Sequence, residues 1–206
     1  MNKKIIKFVI ATVFIISFAS CERDDNTIIE KTEPTQGGII IGGIEWATRN
    51  VATPGIFAQN PEDFGMFFQW NRQKGWTATG ENTAWNSSTP SGSSWARAND
   101  PCPNGWRVPT RAELQRLAQT DSEWTSKNGV EGRLFGTTPN QIFLPAAGLL
   151  NNYTGEHQLL NLRGQYWSSS RYNRRLAHGF RIFPTSAGIG QCHRAAGLSV
   201  RCVAIE

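Results

Sequence analysis

Apolar residues along this chain fall mostly in short runs or alternate with polar ones, and one stretch repeats at helical spacing. Thr110-Arg111-Ala112-Glu113 matches the capping-box pattern S/T-x-x-E, and Leu114, Leu117 and Ala118 then share one face. The spacing predicts a helix from about Arg111 to Ala118, with Pro109 fixing its approach. Elsewhere the pattern favours strands. Gly38–Trp46 (GIIIGGIEW) predicts two short strands joined at Gly42-Gly43. Gly65–Trp70 reads as a buried strand, and Asn60-Pro61-Glu62-Asp63 before it carries a helix-start signal. That pair of signals predicts one helical turn followed by a strand. Gln141–Pro145 reads as a core strand, and Ala146-Ala147-Gly148 after it is small enough for close packing. Tyr166–Ser168 and Leu198–Val203 read as two closing strands.

Between these lie long polar segments. Arg72–Asn99 is rich in Gly, Ser, Thr and Asn, with Trp76, Trp85 and Trp95 spaced to pin a long loop to the body. Asp100–Trp106 is a tight turn segment, Trp124–Gly136 reads as turn-rich, and Leu149–Gly164 reads as a second loop. If Ala177–Phe183 is a strand, Ala177, Gly179 and Phe183 share one face and His178, Phe180 and Ile182 the other.

The first 20 residues read as a leader. Lys3, Lys4 and Lys7 precede the apolar run Ile5–Phe18, which is too short to span a bilayer comfortably. Phe18-Ala19-Ser20-Cys21 resembles a bacterial lipobox, with Phe18 in place of the usual Leu. The resemblance implies cleavage before Cys21 and lipid attachment at its thiol, so that the membrane is met through lipid alone. Glu22-Arg23-Asp24-Asp25 resembles the surface-export signal of Bacteroidetes lipoproteins. The implied location is the outer membrane, exposed at the cell surface. The expected organisation is a signal peptide over 1–20, a lipidated tether over 21–38 and one domain over 39–206.

Losing 20 of the 206 residues leaves 186, and losing those three lysines takes 21 basic residues to 18 against 16 acids. Net charge falls from +5 to +2, too little to argue for a nucleic-acid partner. Distribution is more informative. Between Glu156 and Glu206 there is no acid and no lysine, but there are seven arginines. Export permits a disulfide among Cys102, Cys192 and Cys202; an odd count leaves one thiol over, and spacing does not choose the pair. No C-x-x-C or H-x-x-x-H spacing occurs, so no metal is expected, and nothing points to a cofactor.

The segments WATRNV, FFQWNR, NDPCPNGWRVPTRAELQRL, GRLFG, NQIFLPAAG, GQYWSSS and GLSVRCV together resemble the FISUMP (Fibrobacter succinogenes major paralogous) family, over about Ile40–Val203. That family looks like a relative of the C-type lectin and formylglycine-generating-enzyme folds. The resemblance implies an α+β domain with a small twisted antiparallel sheet, one or two helices and long loops. It also favours Cys102–Cys202 as the disulfide, because the last strand of that fold lies near the start of its main helix. The tail further resembles variable proteins of diversity-generating retroelements, which carry YWSSS, a variable tract and then G-[FL]-S-V-R. Adenine randomisation does not produce Lys, Glu, Gln, Met or Trp from AAC codons, and Arg171–Ala196 holds none of these except Gln191.

The candidate ligand-binding residues are Arg171, Tyr172, Asn173, Arg174, Arg175, His178, Arg181, Phe183, Ser186, Cys192 and His193. Guanidinium groups beside Tyr172 and Phe183 suit carboxylates, sulfates or phosphates, and stack on rings or sugar faces. The expected partner is an external protein or an anionic glycan, with Arg72–Asn99 as a further contributor to the surface. Alternation alone does not turn every candidate outward, so a bulge or bend is expected in Ala177–Phe183. The resemblance assigns Phe180, Ile182, Arg194 and Gly197 to the framework and turns His178 and Arg181 outward. The bland alternative is a solvated cationic face with no partner.

Trp46, Trp70, Trp106 and Trp167 lie inside the shared segments and read as core. The EPN and QPD motifs of calcium-dependent lectins are absent. Ser168-Ser169-Ser170 does not fit a G-x-S-x-G elbow, so no catalytic residue is assigned and the protein is not expected to be an enzyme. Two alternatives stand beside the binding reading. One is an accessory or tip subunit of a surface fibre. The other is a formylglycine-generating-type oxidase, for which Cys192 and Cys202 could supply the paired cysteines.

Overall fold

The computed structural model describes residues 37–79, 82 and 84–206. Cys21, the leader and most of the tether lie outside the described residues.

The chain opens with β1 (Ile39–Ile41) and β2 (Ile44–Thr53), paired antiparallel. Gly42 and Gly43 join them at φ 59° and 74°, the left-handed pair that a two-residue hairpin turn needs. The short β3 (Ile56–Phe57) folds back on β2. Asn60–Asp63 forms a hydrogen-bonded turn rather than the expected helical turn. The Asp63 carboxylate accepts from the backbone N–H of Asn60 at 2.8 Å, the reach-back half of a capping box, but the Asp63 N–H goes to the Asn60 carbonyl rather than its side chain and the turn is not continued as a helix. β4 (Phe67–Gln69) follows as a fully buried strand and pairs with β5 (Gly75–Trp76).

Past a 3-10 turn at Arg97–Asn99 come β6 (Trp106–Arg107) and α1 (Arg111–Ala118), the one α-helix among the described residues. Its capping box is complete: Thr110 Oγ accepts from the Glu113 N–H, and the Glu113 carboxylate accepts from the Thr110 N–H at 2.6 Å. Glu113 also binds Arg107 bidentately, at 2.6 and 2.9 Å. Trp124–Gly136 is not turn-rich. β7 (Ser122–Lys127) and β8 (Val130–Thr137) form a regular hairpin about Asn128-Gly129, both left-handed, and β9 (Asn140–Pro145) completes a three-stranded meander. The Leu149–Gly164 loop contains two short strands, β10 (Leu149–Leu150) and β11 (His157–Gln158).

A second meander follows: β12 (Gly164–Arg171), β13 (Leu176–Ile182) and β14 (Ala187–His193). β15 (Gly197–Leu198) and β16 (Arg201–Ala204) close the chain. β16 inserts between β2 and β6, and β15 between β10 and β4. The fold is thus mostly antiparallel sheet with a single described helix, in the α+β or mostly-β class.

Two cores result. One holds Trp46, Leu114, Leu117, Phe135, Tyr166, Phe180 and Val203, and packs α1 against the second meander. The other holds Val51, Phe68, Trp70, Trp95, Trp167 and Leu198. Trp46, Trp70 and Trp167 are fully buried and each indole N–H finds a carbonyl, on Ile41, Ser168 and Phe68. Trp106 is partly buried at the edge of the second core. The loop tryptophans pin as expected: Trp76 and Trp95 are buried, and Trp85 packs on Trp76 and donates to the Asn152 carbonyl. Cys102 and Cys202 are disulfide-bonded, tying the segment before α1 to β16 across 100 positions.

Candidate functional site

The β12–β13 connection is built by one side chain. Asn173 Oδ1 accepts the N–H groups of Arg175 and Leu176, both at 2.8 Å. The Leu176 carbonyl accepts those of Tyr172 and Asn173. This closes the loop on itself and leaves the side chains of Arg171, Tyr172, Asn173, Arg174 and Arg175 exposed.

Arg194 holds the loop from below. It is 2 % exposed, donates to the carbonyls of Arg174 (3.3 Å) and Gly92 (3.0 Å), and lies 4.0 Å over the Trp70 ring. One guanidinium therefore joins the arginine loop to the Thr89–Gly92 segment. Between them runs a groove of about 1100 Å³, lined also by Tyr153 and His193.

The groove is cationic. None of its lining residues is acidic. Among the described residues, Arg171, Arg174 and Arg175 make no ion pair; Arg171 Nε donates to the Asn173 carbonyl at 3.1 Å. His193 Nδ1 accepts the Ala195 N–H at 3.3 Å, which fixes the neutral tautomer with its proton on Nε2. Burial, and then the neighbouring Arg175 charge, hold its pKa below the ordinary histidine value. The Tyr153 ring stands 6.4 Å from it. Such a surface offers forked donors, one imidazole N–H and a phenol ring to a ligand with negative groups.

Tyr172 is exposed in the loop without lining the groove, and the other ten candidate residues divide three ways. Arg171, Asn173, Arg174, Arg175 and His193 line the groove. Phe183 and Ser186 form the turn at the opposite end of β13, where the Phe183 N–H donates to the Ser186 carbonyl. His178, Arg181 and Cys192 belong to the sheet itself. His178 is partly buried with its ring edge-on to Tyr172 at 5.3 Å, and its pKa is lowered by burial and then by Arg111. The expected bulge in β13 is absent: β13 and β14 stay in register from Leu176↔His193 to Ile182↔Ala187. The irregularity lies in β12, between Trp167 and Arg171. Plain alternation therefore holds in β13, and neither His178 nor Arg181 is turned freely outward. Cys192 is 7 % exposed, so it offers no surface to a groove ligand.

Thr89–Gly92 falls within the Arg72–Asn99 loop expected to contribute, whereas Tyr153 was not among the candidates. A lone aromatic among the turn-forming residues Asn151, Asn152, Thr154 and Gly155 is the available signal for Tyr153, which the structure leaves exposed. Among the described residues no three His, Cys, Asp or Glu side chains gather as metal ligands, and no helix is long and apolar enough to cross a membrane. No protein-family model, curated protein or solved structure matches the chain.

Proposed function

We propose that this protein is a lipid-anchored, surface-exposed binding protein of the FISUMP type with a C-type-lectin-like fold. Its groove between the Arg171–Arg175 loop and Thr89–Gly92 takes negatively charged groups of an external protein or glycan. One observation carries the reading: three exposed guanidinium groups converge on a groove with no acid to neutralise them. An arginine fork gains most from carboxylate, sulfate or phosphate oxygens, and such a cluster steers anionic partners from a distance. The disulfide, the Arg194 staple and the Asn173 cap present the arginines from a rigid body, which limits the ordering cost of binding.

The lipid anchor rests on Phe18-Ala19-Ser20-Cys21, and surface exposure on the acids after it. Diversification of the tract is compatible with this architecture. Apart from one Arg171 Nε bond to the Asn173 carbonyl, the loop is closed by the backbone and Asn173, so positions 174 and 175 in particular carry no closing contact.

The test is a combined glycan and protein array probed with the wild-type chain and with the triple variant Arg171→Ser/Arg174→Ser/Arg175→Ser. The expected result is loss of the anionic hits at moderate salt. Identical profiles for the two chains rule out the arginine loop as the binding surface.

A further inference from the structure

The β12–β13–β14 sheet has a second face, away from α1. The first carries Tyr166, Phe180 and Ile182 against Leu114 and Leu117. On the second, the register places Gln165 beside Arg181 and Arg181 beside Gly188, with Gly190 and Cys192 further along β14. Arg163, just before β12, falls on the same side by the same period.

The glycines make a trough on that face. A Cβ at Gly190 would meet Arg181 Nε at 2.6 Å, so the Arg181 side chain lies flat across β14 because nothing projects there. Its Nη2 donates to the Gln191 carbonyl and stands 3.9 Å from Cys192 Sγ. Above Gly188 the space is open. Gln165 is 2 % exposed and accepts the Cys192 thiol at 3.3 Å.

Three donors remain unanswered here. Gln165 Nε2, Arg163 Nε and Arg181 Nε are buried and have no partner among the described residues. Arg163 is partly buried beside Arg181, and its pKa is lowered by burial and then by that neighbouring charge. Neither guanidinium is paired with a described carboxylate. Arg163 and Arg181 thus share one face of the sheet, with the buried Gln165 amide opposite Arg181.

We propose that this face binds a dianionic oxyanion, the sulfate or phosphate-monoester group, between Arg163 and Arg181 with the Gln165 amide as third donor. Two guanidinium charges match a dianion, and their planar forks fit tetrahedral oxygens. Burial pushes the Cys192 thiol up, so it stays protonated and does not repel the guest. The site shares no lining residue with the groove and stands independently of it.

The test follows the Gln165 side-chain amide by nuclear magnetic resonance in the isotope-labelled full chain. Sodium sulfate is titrated in against sodium chloride at constant ionic strength. A saturable shift with sulfate is expected, weakened about tenfold or more in Arg163→Ser. The same shift should persist in Arg174→Ser/Arg175→Ser, even if groove binding is lost. Arg181→Ser also uncovers the Gln191 carbonyl, so Arg163→Ser carries the test if that variant does not fold. No saturable shift in the wild type, or unchanged affinity in Arg163→Ser, overturns the proposal. Loss of the shift in Arg174→Ser/Arg175→Ser also overturns it, by moving the anion to the groove. A sulfated disaccharide run alongside separates the sources: tighter binding than inorganic sulfate supports a sugar-borne group, and equal binding supports the free ion.

Discussion

Arg194 and Arg201 differ from Arg171, Arg174 and Arg175 in everything but side chain. Arg201 is 1 % exposed and donates to Asn50 Oδ1 (2.9 Å), the Ala47 carbonyl (3.2 Å) and the Phe143 carbonyl (3.0 Å). Desolvation by burial lowers its pKa to about 10, still well above neutrality, so the cation is kept inside without a carboxylate. It acts as a staple joining β2, β9 and β16 through their acceptors. Arg194 does the same for two loops. The three loop arginines reach no such set of acceptors and stand in solvent. The lesson is that a run of like residues is not one site. A buried guanidinium held by carbonyls from separate segments is structure, and an exposed one with no acceptor outside its own loop is free for a partner.

Removing the interactions of the frame should have graded effects on stability. The largest belongs to the clasp. Replacing Cys102 and Cys202 together by Ser opens a loop of 100 positions, and chain entropy puts the loss near 4–5 kcal/mol. Denaturant unfolding measures it. A loss under about 1 kcal/mol would show that the framework does not depend on the bridge.

Arg201→Met comes next. It leaves Ala47, Phe143 and Asn50 acceptors buried without a donor, at a cost of about 3 kcal/mol. Arg201→Lys should recover only part, since a single ammonium cannot reach three separated acceptors in one plane. Equal stability of Met and wild type would contradict the staple.

The smallest effect is in pH. His178 and His193 both have lowered pKa values, from burial first and then from Arg111 or Arg175. As pH falls below about 6.5, the unfolded chain takes up protons that the folded chain resists. Stability should therefore decline from pH 6.5 downward until the folded histidines also titrate. His193→Gln should flatten part of that slope. An anion in the groove should raise the His193 pKa, so its affinity should rise as pH falls through the same window. A slope unchanged in His193→Gln and His178→Gln would remove these groups from the account.

Much of the frame was legible in the chain. Thr110–Glu113 wrote the helix start, Gly42-Gly43 wrote the first hairpin, and apolar runs marked β4, β9 and β12. The β7–β8 hairpin is hidden in a segment that reads as turn-rich, and two of its glycines, Gly132 and Gly136, lie within β8 itself. Gly132 is there for packing: a Cβ would meet the Leu144 carbonyl and the Phe143 ring at 2.5 Å. The Asn128-Gly129 turn itself was a readable signal.

The site was legible only as a tract. Which of its residues face the groove depends on the bulge in β12 and on the Phe183–Ser186 turn that sets the β14 register. No local pattern states either. Cys192 illustrates this, since one position of slip would move its side chain to the other face. Tyr153 and Thr89–Gly92 reach the groove only through long-range contacts, with Arg194 bridging to Gly92.

The arginine loop is presented by the fold without supporting it. The most direct measurement is the thermal unfolding midpoint of Arg171→Ser/Arg174→Ser/Arg175→Ser beside the wild type. Side chains with no burial in the frame should shift it by no more than about 2 °C. A fall of more than about 8 °C, with the disulfide intact, would mean that those cations hold the fold together and would contradict the account.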